Sequence, residues 1–157
     1  MHVYALMDTV RLLDFIVRAK KQSFASGTGN TEPDIPGSKE FIIREGTMEY
    51  RDIYFGVLSF NGIETVYSKG VPVWGMVYSG GVIDNTVDNG GIYRFLKKCL
   101  YLVSVEAPYR GPKSYTESNY IYDNDFSGDI SYFIGYERID EGENTLYELH
   151  YSGGYIS

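Results

Sequence analysis

The apolar residues of this chain fall into two kinds of spacing. Over residues 5–22, Leu6, Val10, Leu13, Ile16 and Val17 recur three and four positions apart, with Arg11, Asp14, Arg18 and Lys21 between them, which predicts an amphipathic helix. Lys20 and Lys21 fall in its last turn, where cations suit the helix dipole, and Gly27 and Gly29 end it. A second stretch of the same kind covers 88–103, with Ile92, Phe95, Leu96, Leu100 and Val103 on one side and Arg94, Lys97 and Lys98 on the other. Elsewhere the pattern alternates with period two and predicts strands at about 40–44, 48–56, 58–68, 72–79, 120–123, 130–139 and 145–151. Glu45-Gly46 and Lys69-Gly70 supply turns between them.

The order is helix, punctuated loop and strands, stated twice, and the two statements share residues. Tyr78-Ser79-Gly80-Gly81 returns as Tyr151-Ser152-Gly153-Gly154, an offset of 151 − 78 = 73. At the same offset, without a gap, Asp52 meets Asp125, Phe60 meets Phe133, Gly62 meets Gly135, Glu64 meets Glu137 and Val66 meets Ile139. The expected architecture is one α+β domain over 1–157, a mainly antiparallel sheet with two helices on one face. Its pseudo-two-fold repeats cover about 5–85 and 87–157.

Strand periodicity splits each repeat into faces. Trp74, Met76 and Tyr78 share one face with their counterparts Tyr147, Leu149 and Tyr151, and this face should be covered. Val73, Gly75 and Val77 make the first copy's other face apolar too, so that strand is expected to be buried on both sides. Leu146, Glu148 and His150 leave the second copy buried on one. In the preceding strand Phe60, Gly62, Glu64 and Val66 lie together, as do Phe133, Gly135, Glu137 and Ile139. An inward glutamate needs a cation, a donor cluster or a raised pKa. Alternatively the face is solvated, or Gly62 and Gly135 mark bulges that turn Glu64 and Glu137 outwards.

Two loops interrupt the pattern. Residues 23–40 are rich in Gly, Ser, Thr and Pro and could form an anion-binding nest, although no phosphate-loop or dinucleotide motif is present. Joining helix to sheet is the plainer role. In Ala107-Pro108-Tyr109-Arg110-Gly111-Pro112-Lys113 the prolines stiffen the backbone around Arg110. An arginine so held is expected to act as a structural anchor of its loop, through Asp or Glu neighbours on the sheet.

Composition narrows the function. The 157 residues carry 16 Tyr and 8 Phe, which favours strands and either an aromatic-lined cavity or a broad amphipathic surface. A net charge of −7 argues against direct nucleic-acid binding and against a membrane-surface role. The single cysteine, Cys99, provides no disulfide framework. No long apolar run opens the chain, so a cytoplasmic location is expected. No metal or cofactor is expected: His150 and Glu148 are two ligands where at least three are needed, and Asp123, Asp125 and Asp129 lack the spacing of a calcium loop. They read as an acidic hairpin turn.

Further segments support a resemblance: Ala19-Lys20-Lys21-Gln22-Ser23-Phe24-Ala25, Pro36-Gly37-Ser38, Pro72-Val73-Trp74, Tyr109-Arg110-Gly111-Pro112 and Gly135-Tyr136-Glu137. Over roughly 12–156 the chain resembles a bacterial and archaeal domain family of unknown function, some members of which are fused behind a helix-turn-helix domain. Val77 departs from an asparagine common there. The resemblance implies a sensor or interaction domain and supplies no catalytic residue. More loosely, the duplicated topology is similar to the effector-binding domains of multidrug-sensing regulators, which take cationic aromatic compounds between two repeats.

The expected function is therefore non-enzymatic binding of an unknown small molecule, aromatic or cationic, in a cleft between the repeats. Trp74, Tyr78, Tyr147 and Tyr151 would be its walls and Glu64 and Glu137 its charged groups. The alternative is a protein-interaction or structural domain with a tyrosine-rich partner surface, which a homodimer would use. A carboxylate-based hydrolase built on Glu64 and Glu137 ranks third.

Overall fold

The computed structural model describes residues 8–25, 30–31, 33–83 and 88–157. Helix α1 (Thr9–Lys20) is capped by the Asp8 carboxylate, which accepts from the Val10 backbone N–H at 3.0 Å. It runs on as one π-helical turn, Lys21–Ala25. Strands β1 (Asn30–Thr31), β2 (Ser38–Glu45), β3 (Met48–Gly56), β4 (Ser59–Ser68) and β5 (Val71–Val82) follow, then α2 (Asn89–Tyr101). Strands β6 (Ser114–Glu117), β7 (Tyr120–Asp129), β8 (Tyr132–Glu141) and β9 (Asn144–Tyr155) complete the chain.

Among the described residues these nine strands form one antiparallel sheet in the order β1-β2-β3-β4-β5-β9-β8-β7-β6. Each run of strands is a succession of hairpins, and the two runs meet at β5 and β9. There Tyr78 lies opposite Tyr151, Trp74 opposite Tyr155 and Val82 opposite Tyr147. The expected α+β class and mainly antiparallel sheet are found. The core lies on one face, between the sheet and the buried sides of α1 (Leu12, Phe15, Ile16, Ala19) and α2 (Ile92, Phe95, Leu96, Cys99, Leu100).

Several local expectations are corrected. The apolar stripe of α1 is Leu12, Phe15, Ile16 and Ala19, while Val10 is 63% exposed. Leu6 lies outside the described residues, as does most of the loop over 26–32. Lys20, placed by the sequence in the last turn as a cation suited to the helix dipole, continues the buried stripe at four-residue spacing and is only 7% exposed. Strand β5 is not buried on both sides, because Val77 is 51% exposed. Among the described residues no helix covers the other face of the sheet there. The acidic segment Asp123–Asp129 is part of β7, and only Asp129 serves the turn, accepting from the Ser131 N–H at 2.8 Å.

Candidate functional site

The inward faces of β4 and β8 carry the residues that periodicity placed there, and both glutamates point into the core: Glu64 is 3% exposed and Glu137 is fully buried. The bulges lie elsewhere, at Val66/Tyr67 and Ile139/Asp140. The glycines serve close approach instead. Gly62 lies opposite Tyr78, and a Cβ on it would come within 2.4 Å of the tyrosine hydroxyl. Gly135 lies opposite Tyr151, where a Cβ would meet the ring at 2.1 Å. Each tyrosine therefore crosses a bare strand and reaches the next one. The Tyr78 hydroxyl donates to Asp52 on β3 at 2.7 Å, and the Tyr151 hydroxyl donates to Asn124 on β7 at 2.7 Å.

Asp52 lies opposite Glu64, and Asn124 opposite Glu137. The residue in the position of Asp52 is thus Asn124, an offset of 124 − 52 = 72, and not Asp125. Three residues separate the paired Gly56 and Phe60, but four separate the paired Gly128 and Phe133, so the gapless match slips there. Asp125 is exposed on the opposite face.

Around Glu137 every polar group is engaged. Arg110 donates to Glu137 Oε1 from Nε at 3.0 Å and from Nη2 at 2.6 Å; the Tyr147 hydroxyl donates to the same oxygen at 2.8 Å. The Tyr122 hydroxyl donates to Oε2 at 2.5 Å and itself accepts the Gly111 N–H at 2.9 Å. Asn124 Nδ2 donates to the Gly111 carbonyl at 2.8 Å. Burial opposes the charge on Arg110, but Glu137 beside it outweighs burial and keeps the guanidinium protonated. Above this cluster the Tyr109 ring stacks on Phe133 at 3.7 Å between centroids, which fills the space over the sheet.

Around Glu64 the arrangement is sparser. Lys20 donates to Glu64 Oε2 and, at 2.7 Å, to the Tyr109 carbonyl, so α1 is pinned to both the sheet and the loop before β6. Burial lowers the Lys20 pKa, and Glu64 only partly restores it. Asp52, 2% exposed, receives the Tyr78 hydroxyl and has no cation within ion-pair distance among the described residues. Burial, then the charge of Glu64, push its pKa up from 3.8 to about 7. The Arg110 guanidinium lies 5.5 Å from the Tyr78 ring centroid and so connects the two clusters.

A cavity of about 170 Å³ opens beside Asp52. Its floor is Asp52, Tyr78 and Arg110; its walls are Tyr54, Phe60 and Tyr93, with Lys39 and Val57 towards solvent.

Of the residues singled out by sequence, Tyr78 lines this cavity. Glu64, Glu137, Tyr147 and Tyr151 are buried but do not line it, and Trp74 packs on Phe133 at 5.8 Å. The Trp74 indole N–H has no hydrogen-bond partner among the described residues. Sequence reasoning missed Lys20, Asp52, Tyr54, Tyr93 and Asn124. Lys20 was detectable: Leu12, Ile16 and Lys20 are spaced by four. Asp52 was hidden by its identity with Asp125. Among the described residues no group of three His, Cys, Asp or Glu side chains is arranged to hold a metal, and no helix is long and apolar enough to cross a membrane.

The chain belongs to a family described as Domain of unknown function (DUF5680), which it matches over residues 52–156. No curated protein and no solved structure matches it.

Proposed function

We propose that this chain is a non-enzymatic small-molecule-binding, or sensor, domain whose site is the cavity between β3, β4, β5 and α2. The observation that carries this reading is the cavity itself. Aromatic walls enclose a space that ends on a few convergent polar groups, one with a strongly displaced pKa, which is the usual build of a ligand site. In this reading Glu64, Glu137, Trp74, Tyr147 and Tyr151 form the framework under the ligand, Tyr78 touches it, and Arg110 anchors its loop through Glu137. The role accords with a regulatory partner, such as a helix-turn-helix domain, and with a reducing cytoplasm, where a free buried thiol such as Cys99 is stable.

The same reading takes the two halves as a duplicated unit. Its support is the β5–β9 register: the pairs Trp74–Tyr155 and Val82–Tyr147 exchange under a shift of 73 (74 + 73 = 147; 82 + 73 = 155), with Tyr78–Tyr151 at the centre.

A protein-interaction role has one observation in its favour. On the uncovered sheet face Ile63, Val77 and Ile134 are 45%, 51% and 51% exposed beside an open groove lined by Tyr136 and His150. A fragment screen by two-dimensional NMR separates the two readings. Single-ring fragments should shift the amides of residues 54–60, 78 and 93, and Val57→Trp at the cavity mouth should abolish the shifts. Shifts confined to Val77, Ile134 and His150, or no binding by any fragment, would remove the cavity reading.

A further inference from the structure

We infer that the ligand of this cavity is a small organic ammonium ion, its charged head against the Asp52 carboxylate and its apolar body between Tyr54, Phe60 and Tyr93. The inference rests on the reading of the cavity as a binding site and adds the class of ligand.

The first argument is the count of buried charge. Three carboxylates, Asp52, Glu64 and Glu137, face the inner layer with two cations, Lys20 and Arg110; buried Glu40 pairs with Arg51 instead. Both cations are committed. Lys20 is held by Glu64 and by the Tyr109 carbonyl, and Arg110 directs Nε and Nη2 at Glu137. Neither can turn to Asp52 without leaving another buried carboxylate unpaired, which is strongly unfavourable. Among the described residues Asp52 is therefore the one acid of the layer without a cation at ion-pair distance, and it is also the acid that borders the cavity.

The walls and the size point the same way. Aromatic faces attract cations, and Lys39 already holds its ammonium 5.8 Å from the Tyr54 ring centroid at the solvent side. An enclosed apolar space of about 150 Å³ holds a benzene molecule. A cavity of about 170 Å³ therefore takes one ring with a short aminoalkyl arm. Where the other half of the sheet has no need of a cation, the position of Asp52 carries the neutral Asn124, satisfied by Tyr151 and by the Gly111 carbonyl.

Proton exchange follows from the surroundings of Asp52. Glu64 faces it from β4, Tyr78 from β5, Lys20 from α1, Arg110 from the loop before β6, Lys39 from β2 and Tyr93 from α2, with Tyr54 on its own strand. Near neutrality a proton partly occupies the carboxylate that the ammonium would take, so affinity for a cation should rise with pH through about 7.

Isothermal titration of the whole chain with benzylammonium, benzyl alcohol and benzoate at about pH 8 tests this. The ammonium should bind about tenfold tighter than the alcohol or better, and Asp52→Asn should remove that advantage while leaving the alcohol within about twofold. Asn124 does the same structural work in the other half, so this variant is expected to fold. Lys39→Ala should tighten the ammonium by removing a like charge from the mouth. Equal binding of alcohol and ammonium, unchanged by Asp52→Asn, overturns the ammonium class and leaves the cavity as a site. Preference for benzoate, weakened by Lys39→Ala, overturns it in favour of an anion held by Lys39 and Arg110. No binding of any probe at millimolar concentration overturns both.

Discussion

The two halves of the sheet bury the same kind of polar layer and finish it differently. In the β6–β9 half Glu137 receives four hydrogen bonds, Asn124 is satisfied on both sides of its amide, and Tyr109 lies 3.7 Å from Phe133. In the β2–β5 half the segment that enters β2 is Pro36-Gly37-Ser38, which brings no aromatic ring. Phe60 has its ring partners at 6.1–6.3 Å, and the space left is the cavity. Asparagine in one half and aspartate in the other then decide which half needs a further partner. A closed half that braces an open one is a physical means of keeping a buried unpaired acid in a stable fold, since such an acid is costly on its own.

The largest expected effect tests that contrast. Glu137→Gln leaves Arg110 buried without its carboxylate, and a guanidinium cannot shed its proton. Glu64→Gln leaves Lys20, which can, and whose pKa burial has already lowered. Urea unfolding at neutral pH should show a loss of about 3–5 kcal/mol for Glu137→Gln and about 1–3 kcal/mol for Glu64→Gln. Equal losses would mean that the halves are not braced differently.

Much of this architecture is legible in the sequence, and the exceptions have physical causes. Which side chains share a face of β4, β5, β8 and β9 follows from alternation; alternation alone left open whether Glu64 and Glu137 point inwards, and it missed the exposure of Val77 on β5. The side of α2 was readable for the same kind of reason. The site was less readable, because its geometry depends on pairs far apart in sequence. That Gly62 exists to let Tyr78 reach Asp52, or that Lys20 of the first helix meets Glu64, is a matter of cross-strand neighbours and helix docking. The slip of one residue between the hairpins turned a neutral counterpart, Asn124, into an apparent acidic one, Asp125, and so concealed the asymmetry that sets the candidate site apart.

A smaller effect sharpens the comparison through pH. The Asp52 pKa is raised in the folded chain from 3.8 to about 7, so between those values the folded state holds a proton that the unfolded state has lost. Stability contributed by this group is therefore complete below about pH 4 and declines as pH rises towards 7, by up to about 1.4 kcal/mol per pH unit, with no further loss above the folded value. Asp52→Asn should lack this component and, near pH 8, should be more stable than the parent chain. Urea melts of both proteins across that range check the sign; a parent chain that gains stability from this group as pH rises would reverse it.

The most direct measurement is a carboxyl-carbon NMR titration of Asp52 in the intact chain, alone and with benzylammonium present. The account predicts a midpoint near 7 for the free protein, falling when the ammonium binds, because the cation supplies the partner that neither Lys20 nor Arg110 provides. A midpoint near the ordinary 3.8, unmoved by the ammonium, would contradict it, since Asp52 would then already be an ionised and fully paired carboxylate.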